Sequence, residues 1–215
     1  TGGKLLAIPH NGNLSNGRMF EETTFTGGPM TKAYAESRQK WEPLFELTQT
    51  KGQSESNPVL SPTDEFASWD LWDRGNLNGA AKKPEMLRTE YWREALKSGL
   101  RLEAALGVNP FKYGANAATD THTALATGDE DNFWGKFVGA EPSATRWKPV
   151  MIGAGQPGQI YSWEQAASGY TGVWATSNTR AAIWDAMKRR ETFATTGPRM
   201  SVRFYGGYEF TDADT

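Results

Sequence analysis

The chain has 215 residues, a formal net charge of −2, no cysteine and a mean hydropathy of −0.63. That length is enough to bury a real core in one domain, with or without an appendage. The slight acidic balance argues against a nucleic-acid backbone or an anionic membrane as partner, no apolar run reaches the roughly 18 residues of a membrane span, and the missing cysteines exclude disulfides and thiolate metal sites.

The chain opens on Thr1-Gly2-Gly3 with no initiator Met and no signal-peptide layout, so the expectation is a piece of a longer protein. Residues 4–9 then read as a short buried strand. Residues 11–17 (Asn-Gly-Asn-Leu-Ser-Asn-Gly) form a turn-rich loop of the kind that often carries function. Residues 31–41 have helix-forming content, ended by Pro43. Leu44–Gln49 reads as a second strand with Leu44, Glu46 and Thr48 on one face, followed by a polar connection over 51–64.

The strongest helix is expected over 84–106, where Trp92, Leu96 and Leu100 recur every four residues and Gly107 supplies the stop. A third strand, 113–120, runs into Asp120-Thr121-His122. Residues 127–158, rich in Gly and Pro, read as a surface excursion. A strand at 172–175 precedes three possible N-caps, Ser177, Asn178 and Thr179, and a helix over 180–190 with Ile183, Trp184 and Met187 as core. Segments 193–195 and 200–204 are β-like. This order is α/β and favours a parallel sheet or part of a barrel. We divide it at residue 165, with 166–215 as a strand–helix–strand closing segment.

The two histidines, His10 and His122, each follow a predicted strand, and Asp120 stands two residues before the second. On an extended segment, residues two apart project from the same face. Imidazole with carboxylate is a common divalent-metal donor set, and in α/β folds catalytic groups come from the C-terminal ends of strands. The bland alternatives are a hydrogen-bonded core histidine at position 10 and a solvated turn at 120–122.

Ile8-Pro9-His10-Asn11, the Gly-x-x-x-x-Thr-Asp-Thr-His block ending at His122, and Asn178-Thr179-Arg180 with the Ala-Thr-Thr-Gly-Pro-Arg run over 194–199 together resemble the C-terminal half of a bacterial domain-of-unknown-function family. That family resembles a branch of the PHP (polymerase and histidinol phosphatase) superfamily of metal-dependent hydrolases. The resemblance implies a partial, distorted β/α barrel with a small β-rich C-terminal extension. It implies divalent ions (Zn, Mn or Fe) held by His10, Asp120 and His122, and a phosphoesterase-like reaction through a metal-activated water. The His-x-His that opens a PHP domain is absent, and Asn57 stands before Pro58 where the family pattern often has His.

Glu46 and Glu55 are candidate acids, Asn11 a candidate for orienting substrate or water, and Arg199 a candidate grip on a phosphate or carboxylate. Solvated or structural roles are the ordinary reading of each. The expected partner is a small-molecule substrate, with neither nucleic acid nor membrane; localisation and oligomeric state stay open, a periplasmic or secreted place being compatible. The rival class is a non-catalytic binding domain, for glycans, using some of the nine tryptophans.

Overall fold

In the computed structural model, the residues described are 3–123, 136–140, 143–156, 158–166, 169–201 and 207–211. Its regular elements are α1 (Lys32–Trp41), β1 (Leu44–Gln49), β2 (Gly52–Gln53), α2 (Trp92–Leu106), β3 (Gly114–Ala117), β4 (Val150–Ile152), β5 (Ile160–Tyr161), β6 (Thr171–Val173), α3 (Arg180–Arg189) and β7 (Thr192–Ala194), with short 3₁₀ turns between some of them. None of the described helices is long and apolar enough to cross a membrane.

Local chemistry explains the helix ends. The Thr31 hydroxyl accepts from the Tyr34 amide to start α1, and Thr179 does the same for the Ala182 amide at α3. Gly107 closes α2 in the left-handed region, at φ 76°. The helix expected over 84–106 is broken: Pro84–Thr89 is a 3₁₀ turn, and Glu90 and Tyr91 leave it before α2 begins. The buried Glu90 accepts from the Gly17 amide at 3.0 Å and pairs with Lys82 at 2.8 Å, and these bonds hold the chain out of helical register. The buried face of α2 is also not the expected leucine stripe. Ala95, Gly99 and Leu102 point inward, and Leu100 is 66% exposed.

The architecture corrects the expected barrel. The strands form one three-stranded sheet, β2-β1-β3, and two separate two-stranded ribbons, β4-β5 and β6-β7, none of them closed. Among the described residues, only β1 and β3 pair in parallel. A barrel needs a laddered neighbour on both sides of every strand, and residues 4–9 do not become one. Their ties include the Ala7 amide to Trp41 O and the Glu46 amide to Pro9 O, and Pro9 has no N–H to give. Leu5 stays 72% exposed, so this is no buried strand. At the far edge of β3, threonine side chains replace a strand: the Ala117 amide donates to Thr171 Oγ1 (3.0 Å), and Thr192 Oγ1 donates to Ala115 O (2.7 Å). Among the described residues the C-terminal part is β-rich only as the short antiparallel β6-β7 pair around α3; of the strand expected at 200–204, residues 202–204 lie outside those described.

All six residues of β1 are buried. On one side Phe45 joins Phe20, Phe111 and Tyr113 in an aromatic cluster, with Phe20 edge-on to Phe45 (4.9 Å, 63°) and to Phe111 (5.7 Å, 75°). Tyr113 donates to Glu42 at 2.9 Å, and Arg38 donates to both, which satisfies the polar rim of the cluster. Trp184 is only half-buried, because α3 buries Ala186 alone. Truncating Phe45 to Ala is therefore expected to cost about 3–5 kcal/mol in equilibrium denaturation. Trp184→Ala is expected to cost about half as much, in keeping with the area it removes from water; an equal loss would show that α3 packs more deeply than its burial indicates.

Candidate functional site

The C-terminal ends of the parallel pair lie side by side, and the loop after Pro9 comes to meet them. The result is a cavity of about 270 Å³ lined by His10, Asn11, Lys51, Asp120, His122 and Lys136, among others. Residues 110 apart in the chain thus share one cavity, as the sequence reading requires of His10, Asp120 and His122.

Asp120 is not on an extended segment. β3 ends at Ala117, and Asp120 is left-handed at φ 51°. That kink brings its Oδ1 to 3.3 Å from His122 Nε2. The His122 ring also meets Phe137 edge-on at 4.9 Å, and its amide donates to Lys136 O at 2.8 Å. Asn11 is likewise left-handed, at φ 59°, and turns the chain directly after His10. Asn and Asp tolerate this region better than other residues with a Cβ.

Two lysines absent from the sequence reading complete the centre. The Nζ atoms of Lys51 and Lys136 both contact Asp120 Oδ2, and Lys136 also donates to the Asp120 carbonyl at 2.7 Å. Burial, followed by the neighbouring Lys51 ammonium, pushes Lys136 down to about 6. Burial lowers Lys51 as well. Lysine seldom marks a buried site, so no local pattern singled these two out. Thr50 Oγ1 and Gln165 Oε1, also in the cavity wall, are buried with no hydrogen-bond partner among the described residues.

Glu46 lies behind this wall. It accepts from Gln49 Nε2 (3.0 Å), which also donates to Asn11 Oδ1 (3.1 Å), so the buried glutamate and the cavity-lining asparagine share one amide. Asn13 fixes the same loop by donating to Lys51 O (3.0 Å) and Trp72 O (3.1 Å). The remaining two candidates sit elsewhere. Glu55 pairs with Arg93 at 2.7 Å in another cleft, and the Arg199 guanidinium lies over the Tyr170 ring at 5.3 Å.

Asp120 and His122 offer a carboxylate and an imidazole side by side, a donor pair suited to Zn, Mn or Fe. Asp120 already gathers two ammonium groups, and the Lys136 Nζ also lies 3.2 Å from His122 Nε2, so the carboxylate's charge is compensated by lysine and an ion would have to displace it. Among the described residues, however, no three His, Cys, Asp or Glu side chains are close enough together to enclose one ion. His10 faces the shared cavity without joining such a cluster.

A family model described as "Protein of unknown function (DUF3604)" matches residues 1–215. No curated protein and no solved structure matches the chain.

Burial raises the Glu46 carboxyl above its ordinary 4.5, against the lowering by Gln49 and His10. A group raised on folding contributes stability that is present below its unfolded value and lost as pH climbs through the folded one. Glu46→Gln is therefore expected to gain stability relative to the parent chain between pH 4 and pH 8, measured by denaturant unfolding at both. An equal loss at both pH values would mean that the buried carboxylate itself is required.

Proposed function

We propose that this chain, which belongs to the DUF3604 family of proteins of unknown function, carries part of the centre of a metal-dependent hydrolase of phosphoesterase type. One observation carries the reading: the chain's two histidines and Asp120 meet in one cavity at the ends of the parallel strands. We infer kinship with the PHP metallohydrolases from the His10 and Asp120-x-His122 motifs, not from any barrel.

In this reading Asp120 and His122 would hold a divalent ion, with His10 elsewhere in the lining of the same cavity. A divalent ion in such a place lowers the pKa of a bound water toward about 7 and polarises the ester oxygen. The chain's own residues supply the rest. Lys51 and Lys136, both largely withdrawn from solvent, fix the Asp120 carboxylate and so its direction. Asn11, whose carbonyl is taken by Gln49, presents its amide N–H donors to a substrate oxygen. Phe137, edge-on to His122, restrains the imidazole and keeps one side of the site apolar. The substrate is a small molecule or the end of a chain, as the cavity volume allows.

Both histidines are exposed, so replacing them tests the chemistry without opening the core. Titration of the chain with Zn²⁺ and Mn²⁺ in a calorimeter is expected to give binding that His122→Ala abolishes and His10→Ala weakens. Hydrolysis of an aryl phosphomonoester or phosphodiester by this chain alone is expected to be poor, because Asp120 and His122 supply only part of a metal centre. Metal binding indifferent to both substitutions would remove the basis of the assignment.

A further inference from the structure

The cavity at Asp120 is the first of three that adjoin. It shares Trp72 and Gln165 with a second of about 390 Å³, and the second shares Asp70 with a third of about 420 Å³. A single stretch of chain passes through all of them: Trp69 lines the third, Asp70 the third and second, Trp72 the second and first. The Gln53 amide donates to Asp70 O at 3.0 Å, and the Trp72 indole N–H donates to Glu164 O at 2.9 Å, so this stretch is fixed to β2 beneath it and to the Ser162–Glu164 turn beside it.

The walls of the outer two clefts combine exposed rings with ion-paired planar polar groups. Phe66 and Trp69 are 69% and 68% exposed in the third cleft, and Trp163 is 64% exposed in the second. Scattered surface aromatics need no explanation, but rings gathered in the walls of contiguous clefts mark a binding surface. Beside them Arg93 grips Glu55 (2.7 Å) and Asp64 (2.5 Å), and Arg74 grips Glu164 (2.8 Å). These pairs hold hydroxyl acceptors and N–H donors at fixed positions. Four carboxylates against two guanidiniums give walls that repel an anionic chain and accept from hydroxyl donors. The buried, unpartnered Gln165 Oε1 stands where the first two clefts join. A peptide in extended form would want a free strand edge of some length, yet β2 and β5, whose Gln53 and Ile160 line the outer clefts, are each only two residues long.

We propose that the three clefts form one groove for a neutral oligosaccharide, its sugar faces laid on Trp69 and Trp163 and one end entering the cavity at Asp120. Sugar rings present C–H faces to indole and hydroxyls to carboxylate and guanidinium, which is the combination these walls offer. The inference rests on the hydrolase reading only in that the bond cleaved would be an ester carried at that end.

The test is an array of neutral gluco-, manno-, xylo- and galacto-hexaoses, with uronate-containing and sulfated counterparts and a lysine-rich peptide, titrated against the chain by calorimetry and tryptophan fluorescence. At least one neutral hexaose is expected to bind with a change in indole emission. Trp69→Ala and Trp163→Ala are each expected to weaken it about ten-fold, and Trp69→Phe to restore much of the loss. No binding by any neutral hexaose, binding indifferent to both tryptophan substitutions, or binding confined to the anionic chains or the peptide would each overturn the proposal. Metal binding that survives Trp69→Ala separates failure of the groove from failure of the metal centre; hexaose binding without any metal binding does the reverse.

Discussion

The structure depends on a parallel strand pair whose two ends have opposite characters. At its start, β1 buries Leu44 and Phe45, and Phe45 packs in the aromatic cluster; at its end it buries Glu46, Thr48, Gln49 and then Thr50. Withdrawing so many polar groups from water is costly unless each finds a partner. The surrounding loops supply partners for Glu46 and Gln49, while the Thr48 and Thr50 hydroxyls have none among the described residues. Gln49 ties Asn11 to Glu46, Asn13 reaches Lys51 O and Trp72 O, and Ser54 bonds Asn13 in return at 2.8 Å. These bonds among buried polar groups tie the loops of the candidate site together, while the apolar start of the same strand anchors it to the core.

A glycine lets the anchoring loop come that close. A Cβ on Gly12 would stand 2.5 Å from Glu90 O and 2.9 Å from Phe45 Cζ, so the turn after Asn11 passes between the aromatic core and the buried glutamate with no room for a side chain. Glu90 in turn receives Lys82, whose ammonium donates to Asn13 O at 2.7 Å. The break between the 3₁₀ turn at Pro84–Thr89 and α2 thus has the same origin as the placement of His10: both segments converge on Glu90 and Asn13.

This explains which parts of the molecule could be read from the chain. The helix over 31–41, a cap among Ser177, Asn178 and Thr179, the stop at Gly107 and the strand Leu44–Gln49 are local signals, and the structure has all of them, the first helix beginning one residue later at Lys32. His10, Asp120 and His122 were legible as a group because a short apolar or small-residue run before each pointed to a strand end, although the run before His10 proves to be exposed and unladdered. Sheet closure is a long-range property, and a resemblance in motifs did not carry a barrel with it. The face of α2 misled because small residues won: a Cβ at Gly99 would strike the Asn109 side chain, so Ala95 and Gly99 turn inward and Leu100 outward. Lys51 and Lys136 had no pattern to reveal them, since only the fold brings their ammonium groups to Asp120.

Backbone conformation points to the same region independently of any ligand chemistry. Among the described residues, those other than glycine with positive φ are Asn11, Asn16, Asp70, Asp120 and Arg190. Three of the five, Asn11, Asp70 and Asp120, line the adjoining clefts. The left-handed region costs a residue with a Cβ roughly 1–2 kcal/mol, less for Asn and Asp. Glycine would meet that conformational need with no penalty, and Gly17 and Gly27 do so in nearby turns. At the clefts the chain keeps side chains where glycine would be easier on the backbone. Asn11 uses its carbonyl to hold Gln49, and Asp120 uses its carboxylate to gather Lys51, Lys136 and His122. Strain retained at a cleft, with a polar group gained in exchange, is the pattern expected where side-chain chemistry matters more than local stability.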